Sequence, residues 1–174
     1  MPMIRALAAG LGFSLMGVFA LLLRAPSTPE LLPDLIFYGV LVLHTYFSVR
    51  YFSHLIPQDS WQVVTDIALV AIYFALALAL GDGFRFLFLA LCLFGVATLE
   101  YAPSLGRAHL RALMRRKIKY EIGGMALAAY SIILAAVANQ AIGAWFFAVV
   151  YAAVTFNILF NERMYSLEFL SRPE

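Results

Sequence analysis

The chain has 174 residues, 64% of them hydrophobic and only 13% charged, where soluble domains carry roughly 25% charged residues. That balance excludes a soluble globular domain, and the 15% of aromatic residues excludes a disordered chain, which needs few aromatics and high charge. A lone cysteine, Cys92, excludes a disulfide scaffold.

Spanning helices need about 20 residues each, so six of them fill most of the length. The expected fold is all-α: a single polytopic transmembrane bundle over 1–174, with both termini cytoplasmic. The first apolar run, 4–23, carries Arg5 near its start and resembles a signal peptide. Its end, Leu23-Arg24-Ala25-Pro26, lacks the paired small residues of a cleavage site, so a retained span is expected. Before the second span, 35–55, Thr28-Pro29-Glu30 reads as an N-cap, a first-turn proline and an acid at the positive helix end. Asp59 or Ser60 is expected to cap the third span, 61–80. Gly81-Asp82-Gly83 makes a tight turn into the fourth, 84–103, giving an antiparallel hairpin. That fourth span is almost featureless before Glu100 and is expected to face lipid over much of its surface. A basic amphipathic loop, 104–119, leads to the fifth span, 120–138, and Asn139 to Gly143 turn the chain into the sixth, 143–162.

Charge sets the expected orientation. With both ends inside, ten Lys and Arg residues are cytoplasmic, including Arg163 and Arg172, and only Arg24 and Arg85 are outside; this is the positive-inside pattern of a bacterial inner-membrane protein. Arg107, Arg111, Arg115 and Lys119 recur every four residues, hence along one helix face. With Arg116 and Lys117 they are expected to rest on anionic lipid headgroups or on a partner. The run has no interleaved aromatics, so nucleic acid is not an expected partner.

Ionisable groups inside a span are costly and mark functional candidates. Glu100, Glu121, Glu162 and Asp34 lie close to span ends and are expected at the interface. Arg50 and Asp66 are symmetric about Gln58 and about 7 Å inside the membrane at 1.5 Å per residue, so a hairpin between the second and third spans would pair them. His44 falls near the middle of its span, with Ser48 and Tyr51 on its face. Gln62, Asp66 and Tyr73 share a face of the next span. The result is a polar seam from Arg50 and Asp66 through Ser48 to His44 and Tyr73. Asn157 and Asn161 of the sixth span are expected to point into the bundle or an oligomer interface. Small-residue stripes favour close helix packing: Ala6, Gly10, Ser14 and Gly17, and then Gly124, Ala128, Ser131 and Ala135.

Enzyme motifs are missing. His44, His54 and His109 are too few and too scattered for a di-iron cluster or a bis-histidine haem. There is no nucleophile elbow, no paired aspartates and no phosphate-cradling loop. Cys92 has no base nearby, and no lysine falls within the expected spans to carry a Schiff base. No catalytic residue, metal or cofactor is therefore expected. The favoured function is transport of an ion or small solute, with Asp66 as the titratable or cation-attracting site, Arg50 its partner, His44 a gate or relay, and Tyr73 and Asn157 in support. The unit is expected to be a homo-oligomer or to work with a partner membrane subunit. The alternatives are a non-catalytic scaffold subunit and an interfacial lipid-modifying enzyme built around Glu100, Glu121 and His109.

Overall fold

The computed structural model describes residues 2–24, 28–56, 59–162 and 164–165. The expectations for Pro26, Gln58, Arg163, Arg172 and the side chain of Arg24 lie outside the described residues. Six helices follow one another: α1 (Pro2–Arg24), α2 (Leu31–Phe52), α3 (Ser60–Leu78), α4 (Gly83–Tyr101), α5 (Arg111–Val137) and α6 (Gln140–Phe156). Two 3₁₀ segments, Ala102–Gly106 and Ala108–Leu110, join α4 to α5, and a π turn, Asn157–Asn161, extends α6. All six helices are long and apolar enough to cross a membrane. No strand occurs among the described residues.

Local chemistry explains several boundaries. The Asp59 side chain accepts from Gln62 N at 2.8 Å, and Asn139 accepts from Ile142 N at 2.8 Å. Each satisfies a backbone donor that the first helical turn leaves open. Asp82 caps α4 through Arg85 N. Gly81 adopts φ 81°, a left-handed conformation that a residue without Cβ reaches freely. Thr28 does not cap α2; its Oγ1 instead donates to Gly81 O at 2.9 Å. Asp34, expected at the interface, is buried, with Oδ2 accepting from Gly81 N at 3.0 Å. The start of α2 is thereby tied to the α3–α4 turn.

One span starts earlier than expected, and another has an inward face the sequence does not mark. The α5 helix begins at Arg111, well before 120, because Arg, Lys, Leu, Met and Ala are all good helix formers. Its inward residues, Leu113, Met114, Lys117, Glu121, Gly124 and Ala128, continue one stripe at steps of three and four. Apart from Lys117, the charge that reads as a loop belongs to the other face. Helix α4 is two-faced: Phe86, Leu87, Ala90, Leu93 and Phe94 are buried, while Phe84, Phe88 and Leu99 are exposed. An all-apolar helix carries no polar stripe to reveal which side is inside.

The helices close a ring in the order α1, α2, α6, α5, α4, α3 and back to α1. Consecutive α2 and α3 are thus separated by α1. Small residues bring the ring together. A Cβ on Gly124 would lie 2.6 Å from Phe94 Cδ1, and one on Gly143 would lie 2.6 Å from the backbone oxygen of Ser131. Gly17 admits the Tyr38 ring, whose OH donates to Phe13 O at 2.9 Å. The middle of the ring is filled by aromatics: Phe37 packs 4.5 Å from both Phe147 and Tyr151, centroid to centroid, and Phe94 lies 5.7 Å from Tyr151.

Candidate functional site

One end of the bundle gathers the starts of α1, α3 and α5 with the ends of α2, α4 and α6. At this end the ring encloses a cavity of about 330 Å³. Its lining runs from Ser53, Ile56 and Gln62 at the helix ends down to Tyr73, Phe94 and Tyr151, where the aromatic layer closes it. Two exposed lining residues, Arg5 and Val70, stand on α1 and α3, so the rim lies between those helices. Deeper along the same interface, Phe13 stacks on Tyr73 with centroids 3.9 Å apart.

The polar side chains form two linked groups. On the α3–α4 side, Gln62 Nε2 donates to Glu100 Oε1 at 2.5 Å and to Asp66 Oδ1 at 3.2 Å. Both acids line the cavity, and Glu100, one residue before the end of α4, is buried. Arg5 is the cation facing Asp66. On the other side, Lys117 Nζ lies 2.5 Å from Glu121 Oε1 and donates to Tyr165 OH at 3.1 Å. The Tyr165 OH is 2.6 Å from His44 Nε2, Lys117 Nζ is 3.3 Å from that same nitrogen, and His44 Nδ1 is 3.1 Å from Tyr151 OH. These donors assign the tautomer: Nε2 accepts and Nδ1–H donates to Tyr151, which satisfies every contact of a neutral ring. Tyr165 lies beyond α6, outside the spanning segments. Burial pushes its phenol above the ordinary range, while Lys117 pulls in the opposite direction.

Several expected site residues meet here. His44, Ser48, Asp66 and Tyr73 all line the cavity. Ser48 contacts Tyr101 OH at 3.4 Å, and Tyr73 OH bonds Thr45 Oγ1. Arg50 does not join them. It is exposed and forms no ion pair with Asp66. Helix α1 stands between α2 and α3, and Arg50 lies about 200° around the helix from Ser48. Asn157 is also outside the cavity. It is exposed, donating to Glu162 Oε1 at 3.0 Å and accepting from Asn161 Nδ2 at 3.0 Å. The π turn, with Glu162 N bonded to Asn157 O, adds a residue to the turn and carries these amides off the inward face.

The basic run divides by helix face. Lys117 is buried in α5 and occupied by Glu121, so it is neither a headgroup contact nor outside the spans. Arg116 pairs with Glu162, which also accepts from Tyr120 OH at 2.6 Å. Arg111, Arg115 and Lys119 are exposed and rim a shallow hollow with Ala108, Ala112 and Tyr120, while Arg107 is half-buried. His109 is exposed and does not line the cavity, so it does not meet Glu100 and Glu121. Among the described residues no three His, Cys, Asp or Glu side chains are placed to hold a metal ion.

The sequence reading gave Lys117 to the headgroups, set Glu121 and Glu100 beside a cavity only in the lipid-enzyme alternative, and missed Tyr165. A signal existed for the first two: Lys117 and Glu121 stand four apart on the stripe that continues through Gly124 and Ala128. Nothing local announces Tyr165, which reaches His44 only through the π turn.

The fold and the cavity define an all-helical bundle of six membrane-length helices with a polar, half-depth interior site. Comparisons with protein-family models, curated proteins and solved structures returned no match.

Proposed function

We propose that this chain is a small membrane transport protein that takes an ion or small solute into the cavity from one side of the membrane. The observation that carries this reading is the cavity itself. Asp66, Glu100, His44 and Tyr73 line it, and the aromatic layer at Phe37, Phe94 and Tyr151 ends it near half depth. A pocket of that size lies within the range of small-molecule sites, roughly 300–1,000 Å³. It is too shallow for a continuous pore, so release on the far side requires α1 and α3 to move against the rest.

In this reading Asp66 and Glu100 attract the solute, Arg5 takes the place expected for Arg50, and His44 with Tyr151 forms the floor. The positive-inside rule supports a cytoplasmic cavity mouth and an inner-membrane location, with both chain ends inside. The exposed Arg111, Arg115 and Lys119 suit anionic headgroups. Exposed Ser14 and Gly123 leave room for a second copy or a partner subunit to approach. A scaffold subunit would use the same basic surface and carry no flux.

Proteoliposomes decide between them. Reconstituted protein is expected to accelerate solute entry, with Asp66→Asn and Glu100→Gln each slowing it about tenfold or more, since each removes a charge-assisted contact. Wild-type rates in both variants sink the proposal.

A further inference from the structure

Resting on that reading, we infer that the cavity selects a small organic monocation: an ammonium head on a short apolar body. The inference stands on the charge, shape and unused atoms of the lining.

Three carboxylates, Asp66, Glu100 and Glu121, face two cations, Arg5 and Lys117. Glu121 is taken by Lys117 at 2.5 Å, and Asp66 is faced by Arg5. Glu100 is buried, its hydrogen bond comes from the neutral amide of Gln62, and Lys117, the cation that acts on it, is already held by Glu121. Transferring a carboxylate out of water is costly unless a positive charge is brought beside it. An incoming ammonium supplies that charge, whereas an incoming carboxylate adds a fourth negative group.

The walls are apolar and aromatic. Phe13, Phe52, Tyr73, Phe94, Tyr101 and Tyr151 all line the cavity. Lys117 Nζ already lies 5.5 Å from the Tyr101 ring centroid, within the range at which an aromatic face attracts a cation. An inorganic cation would have to shed its water against these rings, while an alkylammonium carries its own apolar surface into them. At about 30 Å³ per water, the 330 Å³ space holds on the order of ten waters, the size of a molecule of few heavy atoms. Ser53 Oγ is buried in the lining with no hydrogen-bond partner among the described residues. It is an available acceptor beside the mouth for an N–H or O–H of the ligand. The rim between α1 and α3, with apolar Val70 on one side and Arg5 on the other, admits an amphiphile that arrives along the membrane surface.

The test uses the full-length protein in neutral phosphatidylcholine nanodiscs, with empty nanodiscs as the partition control. Binding of hexylammonium, hexyltrimethylammonium, hexanoate and hexanol is measured by calorimetry. Both ammonium probes are expected to bind, with hexanoate and hexanol about tenfold or more weaker. Glu100→Gln is expected to weaken ammonium binding about tenfold, and Glu162→Gln, outside the cavity, to leave it unchanged. Equal binding of hexanoate or hexanol overturns the inference, as does a folded Glu100→Gln protein with wild-type affinity. If Glu100→Gln does not fold, the wild-type probe series decides alone. Flux of the same probes in proteoliposomes separates the two claims. Transport without preference for cations rejects the ligand class and keeps the transport reading. Tight cation binding with no flux does the reverse.

Discussion

Lys117 and Glu121 stand one turn apart on α5, buried together with Nζ and Oε1 2.5 Å apart. In that setting the mutual attraction offsets the loss of water around both charges, and a lone survivor has no such offset. Breaking a buried pair typically costs about 3–5 kcal/mol, while replacing both partners with apolar residues is often near neutral. Lys117→Met or Glu121→Leu alone is therefore expected to lower stability by about that much, and the double variant to recover most of it. Thermal unfolding of the four proteins in one detergent measures the coupling. Additive losses in the double variant would show that the pair is not the source of the stability. Because Lys117 also donates to Tyr165 and His44, its single variant is expected to be the more costly of the two.

Much of this arrangement was legible before any coordinates. The six spans, the Asp59 cap, the turn at Asn139 and the inward stripe from Gly124 to Ala135 follow from helical periodicity, turn chemistry and backbone donors that need partners. These are local rules. The order of helices around the ring is not local. A short connection between α2 and α3 predicts a packed hairpin, and on that premise Arg50 meets Asp66. With α1 inserted between them, Arg5 and not Arg50 shares the cavity lining with Asp66. The same limit explains Tyr165, whose approach to His44 needs both the π turn and the fold-back of Met164, where N bonds Ile158 O at 3.1 Å. The α5 start was hidden for another reason: composition averages over a helix whose two faces have opposite character.

Gly143 and Gly123 provide a matched test of the ring's tightness. Alanine is favoured over glycine in a helix by about 1 kcal/mol, so Gly→Ala should stabilise wherever there is space. At Gly123 an added Cβ meets nothing within 4 Å, and Gly123→Ala is expected to be neutral or up to about 1 kcal/mol more stable. At Gly143 it would press on Ser131 O at 2.6 Å and on Ala135 Cβ at 2.7 Å, which only separation of α5 and α6 relieves. Gly143→Ala is expected to lose about 1–3 kcal/mol, the usual scale of overpacking. Unfolding temperatures that move the same way for both variants would falsify the close α5–α6 contact.

Tyr165 predicts a limb of the pH–stability profile. Its folded-state value is raised, chiefly by burial, above the unfolded tyrosine value of about 10. Above that pH the native state holds a proton that the unfolded chain has released, so stability falls as pH rises. The contribution is intact below about pH 10 and is lost as pH climbs through the folded value. Tyr165→Phe removes this titration and the contacts to His44 and Lys117 together. The variant is expected to be less stable at pH 8 and to decline less steeply above pH 10. Unfolding temperature scanned from pH 8 to 11 reads both effects, and an unchanged alkaline slope contradicts the assignment.

Arg5 and Arg50 separate the observed site from the one that chain symmetry suggests. Arg5 lines the cavity and faces Asp66, whereas Arg50 is exposed outside it. A positive charge at the rim repels an incoming ammonium, and removing it leaves the carboxylates less compensated. Arg5→Gln is thus expected to tighten binding of hexylammonium by about two- to tenfold, the scale of one charge interacting at intermediate dielectric. Arg50→Gln should leave affinity where it was. Arg5 is itself exposed, so solvent ions screen it, and the gain from Arg5→Gln should shrink as salt rises from about 0.01 M to 1 M and the screening length contracts from about 30 to 3 Å. Calorimetric titration at the two salt concentrations measures this directly. A stronger effect from Arg50→Gln would restore the α2–α3 pairing that the ring order rejects, and weaker binding in Arg5→Gln would mean that this arginine holds the ligand instead of balancing Asp66.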